Sequence, residues 1–338
     1  MQITRLKGLK PLLVKDDVLW VSKGYKVLKT GDGCKTFEKV GTYKLSLIDK
    51  FKNINRLSRR LFRMGFHNLQ VLPDNSYIGL IKGRILKCNN NSNKFKTVFK
   101  IPRGSRPLNI CSFPNGNLFF GEYFSNQNRS EVHIYGSFDY GETWRKVYTF
   151  PENSIRHVHG IYYDPHRKGA WVLTGDIKEE CQILFTDDEF ESLNTVLKGS
   201  QMVRAVSIIP MKEKVIIPTD TPLEKNFIQV FYPDTMRLNA VHQIEGSAFY
   251  CSQFDSSLVV STVVEPSEVN KSKYAKIYIS KDGEEWRELY SRHKDCWHLK
   301  YFQYSALMLP QAINRNSILY AYGQGIRRDD GCLLIFNK

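Results

Sequence analysis

His157-Val158-His159-Gly160-Ile161-Tyr162, Trp171-Val172-Leu173-Thr174-Gly175-Asp176 and Gln182-Ile183-Leu184-Phe185 are three short apolar, β-branched and aromatic runs parted by polar segments. Each has the length and composition of a strand. The same order recurs outward in both directions. Runs of the last kind are Tyr25-Lys26-Val27-Leu28-Lys29, Arg84-Ile85-Leu86-Lys87, Val132-His133-Ile134-Tyr135, Ile228-Gln229-Val230-Phe231, Lys276-Ile277-Tyr278-Ile279 and Leu333-Leu334-Ile335-Phe336. With Gln182–Phe185 they lie roughly 45 to 58 residues apart, near the period of four-stranded propeller blades. Runs of the middle kind end in a small or acidic residue, as in Leu118-Phe119-Phe120-Gly121-Glu122, Val215-Ile216-Ile217-Pro218-Thr219-Asp220 and Leu258-Val259-Val260-Ser261-Thr262-Val263-Val264-Glu265. Asn68–Leu72, Leu108–Cys111, Arg204–Ile209 and Phe249–Cys251 match the first kind. Helical periodicity is weak. The pattern predicts an all-β propeller, a single domain over residues 1–338 with inner strands first, seven-bladed, or six-bladed if the first and last repeats share a blade. The last repeat lacks an outer strand, which Gln2-Ile3-Thr4-Arg5-Leu6 is expected to supply, closing the ring.

The 338 residues are 42% hydrophobic and 25% charged, an ordinary globular balance. No apolar run approaches the roughly 18 residues that span a bilayer, and the first residues have no apolar signal core, so the expectation is a cytoplasmic protein with no membrane partner. Seven scattered cysteines without a C-x-x-C pair give neither a disulfide framework nor a zinc site. The net charge of +15 is partly local. The 50–66 segment reads as a basic insertion between blades, and its Lys50–Arg63 stretch carries six cations and no anion. No nucleic-acid module surrounds it, so a solvated basic loop or helix, or capture of an anionic glycan, is the expectation rather than nucleic acid.

Ser137-Phe138-Asp139-Tyr140-Gly141-Glu142-Thr143-Trp144 resembles the Asp-box, Ser/Thr-x-Asp-x-Gly-x-Thr-Trp/Phe, of sialidases and related BNR-repeat proteins. Two weaker copies stand at equivalent places. Ser280-Lys281-Asp282-Gly283-Glu284-Glu285-Trp286 is one residue short, and Thr30-Gly31-Asp32-Gly33-Cys34-Lys35-Thr36-Phe37 has its glycine shifted. The resemblance implies a sialidase-like propeller in which Ser137, Asp139, Gly141, Trp144, Ser280, Asp282, Gly283 and Trp286 are structural. It implies that the Asp bonds turn backbone, the Gly takes positive φ and the aromatic packs between strands. A true sialidase is not expected: Phe62-Arg63-Met64-Gly65 is a poor echo of the family's Phe-Arg-Ile-Pro motif, and seven repeats differ from its six.

Blade topology places the Asp-boxes on one face and the second-to-third strand connections, with the entries to inner strands, on the other. Glu122, Asp176, Asp220 and Glu265 fall on that second face, as do His67, Arg106, Arg156, His157, His159 and Arg204. Loops converging on one end of a rigid scaffold form a ligand mouth. His157 and His159, two apart on a strand, share a face, and could hold a divalent metal with a carboxylate, transfer a proton, or simply brace each other. Glu122 and Asp176 suit the acid and base of a glycosidase. Arg106, Arg156, Arg204, His67, Asp220 and Glu265 are candidate substrate contacts, Arg106 and Arg204 for a carboxylate or sulfate, with Tyr123 and Tyr250 for stacking or protonating a leaving oxygen. Seven-bladed polysaccharide lyases are similar in residue types at the mouth. The leading expectation is a carbohydrate-active propeller that binds and cleaves an acidic sugar or oligosaccharide, by hydrolysis or elimination; the alternative is a non-catalytic propeller that binds a glycan or protein.

Overall fold

Strand-forming residues alternate with Gly, Asp and Asn at short intervals, and this composition favours antiparallel ladders joined by tight turns. A computed structural model describes residues 2–313 and 317–337. Its strands form four-membered antiparallel units. In one of them Val158–Asp164, Gly169–Thr174, Gln182–Thr186 and Asn194–Lys198 pair in chain order. Units of the same order cover residues 10–43, 68–100, 111–150, 209–244 and 248–293. The last chain-order unit, from Ser305–Met308 through Leu319–Gln324 to Cys332–Asn337, is completed by Gln2–Lys7, with Gln2 opposite Asn337 and Lys7 opposite Cys332. The amino-terminal strand therefore covers the edge that would otherwise be open.

Second strands are covered on both faces and read as largely apolar runs: every residue of Leu118–Gly121, Gly169–Thr174 and Ser257–Val264 is buried. Phe119, Phe120, Ile78 and Leu80 are fully buried between units, each contributing about 2 kcal/mol of transfer free energy. Fourth strands such as Arg145–Phe150 face solvent and carry the charge. No described helix is long and apolar enough to cross a membrane.

The turn at 137–144 is held as its residues dictate. Ser137 Oγ donates to Asp139 (2.8 Å) and accepts from the Gly141 amide (2.9 Å), while Asp139 accepts from the Thr143 amide and hydroxyl. Trp144 Nε1 donates to the Gly141 carbonyl. The turns at 280–286 and 30–37 repeat the Ser/Thr-to-Asp bond and the Asp-to-amide bonds. In the latter Cys34, at φ 73°, takes the place of Gly141. Sequence reading missed another such turn, Thr186 to Leu193, in which Thr186, Asp188 and Ser192 make the same bonds and Phe190 occupies the glycine position at φ 79°. Without Gly or Trp it carried no recognisable signature. Gly141 itself sits at φ +83°, and an added Cβ would lie 2.4 Å from Ile78 Cδ1. Gly141→Ala is expected to cost about 2 kcal/mol, read as a lower urea midpoint, from left-handed strain plus overpacking; an unchanged midpoint would contradict this.

Candidate functional site

Connections between second and third strands, and entries to first strands, gather at one end of the array, opposite the Ser/Thr-Asp turns. The residues 156–159 precede and begin an inner strand whose register shifts between Val158 and Gly160. That bulge lies beside the paired imidazoles, a common device for re-aiming side chains. His157 Nδ1 lies 3.0 Å from the Phe124 carbonyl, and His159 Nδ1 lies 2.9 Å from the Ala205 carbonyl. A carbonyl can only accept, so each Nδ1 must carry a proton, and each ring in its neutral form presents an Nε2 lone pair. Those two Nε2 atoms are 3.1 Å apart, and Asp176 Oδ1 lies 3.6 Å from the first and 3.4 Å from the second.

With both rings neutral, three lone-pair donors thus converge with no proton of their own to share. For metal bonds of about 2.1 Å, ligand atoms are separated by about 3.0 Å at right angles and about 3.4 Å in a tetrahedron, so the three spacings match one face of a coordination sphere. Burial lowers the pKa of His159 despite the neighbouring carboxylate. Burial alone would raise Asp176, but the adjoining His157 and His159 outweigh it and hold the carboxyl well below the usual range. A neutral imidazole and an ionised carboxylate are the states that ligation needs.

Arginines surround the carboxylate. Arg156 Nη1 donates to Asp176 Oδ2 at 2.8 Å, and Arg204 Nη2 lies 3.2 Å from Oδ1 and 3.5 Å from Asp220 Oδ2. The Nε atoms of Arg156 and Arg204 and Asp220 Oδ1 are buried without a protein partner, and orphaned buried polar atoms call for water, an ion or a ligand. Burial pushes Asp220 up to about 7, with Arg204 opposing and Glu265 reinforcing the rise. Glu265 accepts from Ser247 Oγ at 2.8 Å. The Tyr123 ring lies 4.3 Å from that of His157, tilted 42° to it, and burial raises its hydroxyl to about 12.

Because Asp220 binds its proton more tightly when folded, the folded state bears a growing cost as pH rises from about 4 to about 7, the span over which the unfolded group is ionised and the folded one is not. The stability advantage of Asp220→Asn over the parent should therefore widen across that span and level off above it; thermal midpoints at a series of pH values check this, and a pH-independent difference would refute it.

Not every expected residue joins the cluster. Glu122 is fully buried and gripped at both oxygens by Arg103 and at one by the His133 amide, so its polar capacity is spent on its own unit and the loop that enters it. His67 Nε2 donates to the Arg63 carbonyl, 3.1 Å away. It belongs to a separate cationic group with Arg106 and Lys10, where burial and Arg106 draw Lys10 down to about 7. Tyr250 adjoins that group, its hydroxyl raised to about 12 by burial. Lys10 and Arg103 escaped the sequence reading. Lys10 begins the first unit's inner strand, the position that yielded His67, and extending that rule to the first repeat would have found it.

The amino-acid sequence matches no family model and no curated protein. Solved structures are similar in fold. One described as YCF48 bound to D1 peptide has a TM-score of 0.59 at 12% identity, covering 100% of this chain and 94% of the other. An oligogalacturonate lyase in complex with manganese gives 0.59 at 8%, covering 98% and 89%. The fold is an all-β propeller. A GH74 xyloglucanase from Xanthomonas campestris gives 0.57 at 13%, with 86% of this chain matched to 47% of that longer one. His157, His159 and Asp176 lie at the end of the propeller opposite the Ser/Thr-Asp turns.

Proposed function

We propose that the chain is a carbohydrate-active propeller of seven blades, with sialidase-like Asp-box turns, whose mouth binds and cleaves an acidic sugar or oligosaccharide around a divalent cation. The observation that carries this is the convergence of His157 Nε2, His159 Nε2 and Asp176 Oδ1 with both imidazole tautomers fixed by backbone carbonyls. A bound cation would supply Lewis acidity and charge neutralisation for a sugar carboxylate. Carbohydrate enzymes among the similar folds support the sugar-directed part of the reading.

Elimination is favoured over hydrolysis by the state of the carboxylates. Glu122 is consumed by Arg103 and Asp176 by two arginines and two histidines, so the pair expected from the sequence is not free to flank a glycosidic bond. In β-elimination the proton beside the uronate carboxylate goes to a base, the C–O bond to the leaving sugar breaks, a C=C bond forms, and the leaving oxygen takes a proton. Asp220, titrating near 7 with an unpartnered buried oxygen, suits the base. Tyr123, protonated at neutral pH, suits the acid. Arg106 and Lys10, beside a His67 that burial keeps neutral, give a second anionic residue of the chain a place to sit.

The ion pairs around Asp176 also favour a second reading, a non-catalytic glycan binder. Incubation with uronate oligosaccharides, with and without added Mn2+ and then chelator, separates the two. Cation-dependent growth of ultraviolet absorbance from an unsaturated uronate is expected. Binding without any cleavage would select the binder, and neither binding nor cleavage across acidic glycans would overturn the sugar-directed reading.

A further inference from the structure

The basic insertion folds into two short helices, Leu47–Lys52 and Arg56–Phe62, set on the mouth side between the first two four-stranded units. They pack beside the 294–304 connection, which carries a one-turn helix, Leu299–Phe302. Arg60 is the anchor: it is buried, pairs with Asp295 at 2.5 Å, and donates to the Phe302 carbonyl through Nε and Nη2. Arg56 pairs with Asp330. The outer surface of this rim departs from ordinary protein exteriors. Leu47 is 83% exposed, Phe51 71%, and Ile48 and Ile54 each 68%, with Trp297 and Tyr301 close to half exposed on the neighbouring connection. Leu47, Ile48 and Phe51 fall on one helical face.

Charge defines what this face can meet. The two segments contain two acids, and both are spent internally, Asp49 on Arg84 and Asp295 on Arg60. Lys50, Lys52, Arg59, Arg63 and Lys300 have no carboxylate partner among the described residues. Exposed bulky aliphatics flanked by Trp and Tyr and interspersed with unpaired cations are what a headgroup and acyl boundary receives. We propose that this rim docks on an anionic lipid bilayer, with the apolar side chains entering the interface and the five cations against lipid phosphates. A second copy of the chain is a poor occupant, because a symmetric contact would oppose the same unpaired cations in a chain of net charge +15. The expectation of no membrane partner rested on the lack of a spanning segment, which peripheral docking does not require. Docked this way, the propeller turns its mouth toward the headgroups.

Flotation of the full chain with vesicles of phosphatidylcholine plus phosphatidylglycerol, against phosphatidylcholine alone, tests the proposal. Binding is expected to the mixed vesicles, to weaken with added salt, and to fall about tenfold or more in Lys50→Glu/Lys52→Glu and likewise in Ile48→Asp/Phe51→Asp. All four positions lie outside the core, and unchanged thermal midpoints would show that the variants fold. Asp176→Asn should float like the parent, so failure of the mouth reading leaves this result untouched. No flotation, equal binding to both vesicle types, or variants that bind as the parent does would overturn the proposal. So would a dimer in size-exclusion chromatography that Ile48→Asp/Phe51→Asp dissolves, or capture by a soluble acidic protein without any vesicle binding.

Discussion

Asp176→Asn is expected to weaken Mn2+ or Zn2+ binding by about a hundredfold or more, since even removal of an outer-shell partner of a metal ligand typically costs 10- to 100-fold. The side chain keeps its shape, so a loss would come from charge and donor chemistry rather than from a void. Four groups depend on this carboxylate: the two imidazole Nε2 atoms at 3.4 and 3.6 Å, and Arg156 and Arg204 at 2.8 and 3.2 Å. With an amide there the arginines lose their counter-charge and the imidazole lone pairs keep only each other. Cleavage of an acidic oligosaccharide should fall with the cation, and excess Mn2+ should restore part of it. Calorimetric titration of parent and variant provides the comparison. Equal affinities would show that Asp176 is a structural counter-ion and not a ligand.

Asp329→Ala should be the most damaging single change outside the mouth, at about 3 kcal/mol, the scale of breaking a buried ion pair from one side. Its carboxylate is buried and receives Arg5 Nε at 2.8 Å, Tyr290 Oη at 2.6 Å and Arg292 Nε. Arg5 belongs to the amino-terminal strand, Tyr290 and Arg292 to the neighbouring unit's outer strand, so one side chain ties the closing strand across two units. Burial would raise the Asp329 pKa, but the bonds from Tyr290, Arg292 and Arg5 outweigh it and hold the group below its ordinary value. A carboxyl depressed in the folded state adds stability that is present above the unfolded pKa, about 3.9, and is lost as pH falls through the folded value. The parent should therefore lose this contribution below about pH 4, and Asp329→Asn should lack that part of the acid limb. A urea midpoint within error of the parent at pH 7 for Asp329→Ala would contradict the account.

Much of the fold was legible because a β-propeller writes its repeat into the chain. Middle strands such as Leu118–Gly121 are covered on both faces and must be apolar throughout, and the turn at 137–144 needs Ser, Asp, Gly and Thr at fixed offsets for its hydrogen bonds. The turn at 186–193 stayed hidden because Phe190 tolerates φ 79° in exchange for packing against Phe119. Topology alone brought Glu122, Asp176, Asp220 and both histidines to one end. It could not tell which acids were spent internally. Glu122 and Asp176 occupy the same place in their repeats, yet Arg103 claims the first, and that pairing depends on the course of an entry loop with no periodic signal. Tautomers were equally out of reach, since they follow from the carbonyls of Phe124 and Ala205, contacts 33 and 46 residues distant along the chain.

Nitrogen NMR of the imidazoles, with His157→Gln and His159→Gln used to assign the signals, reads the two tautomers and their response to a cation. The account predicts that both rings are Nδ1–H tautomers at neutral pH and that one equivalent of Zn2+ shifts both Nε2 resonances while the Nδ1 protons remain. An Nε2–H tautomer at either ring, or Nε2 resonances that ignore the cation, would contradict it.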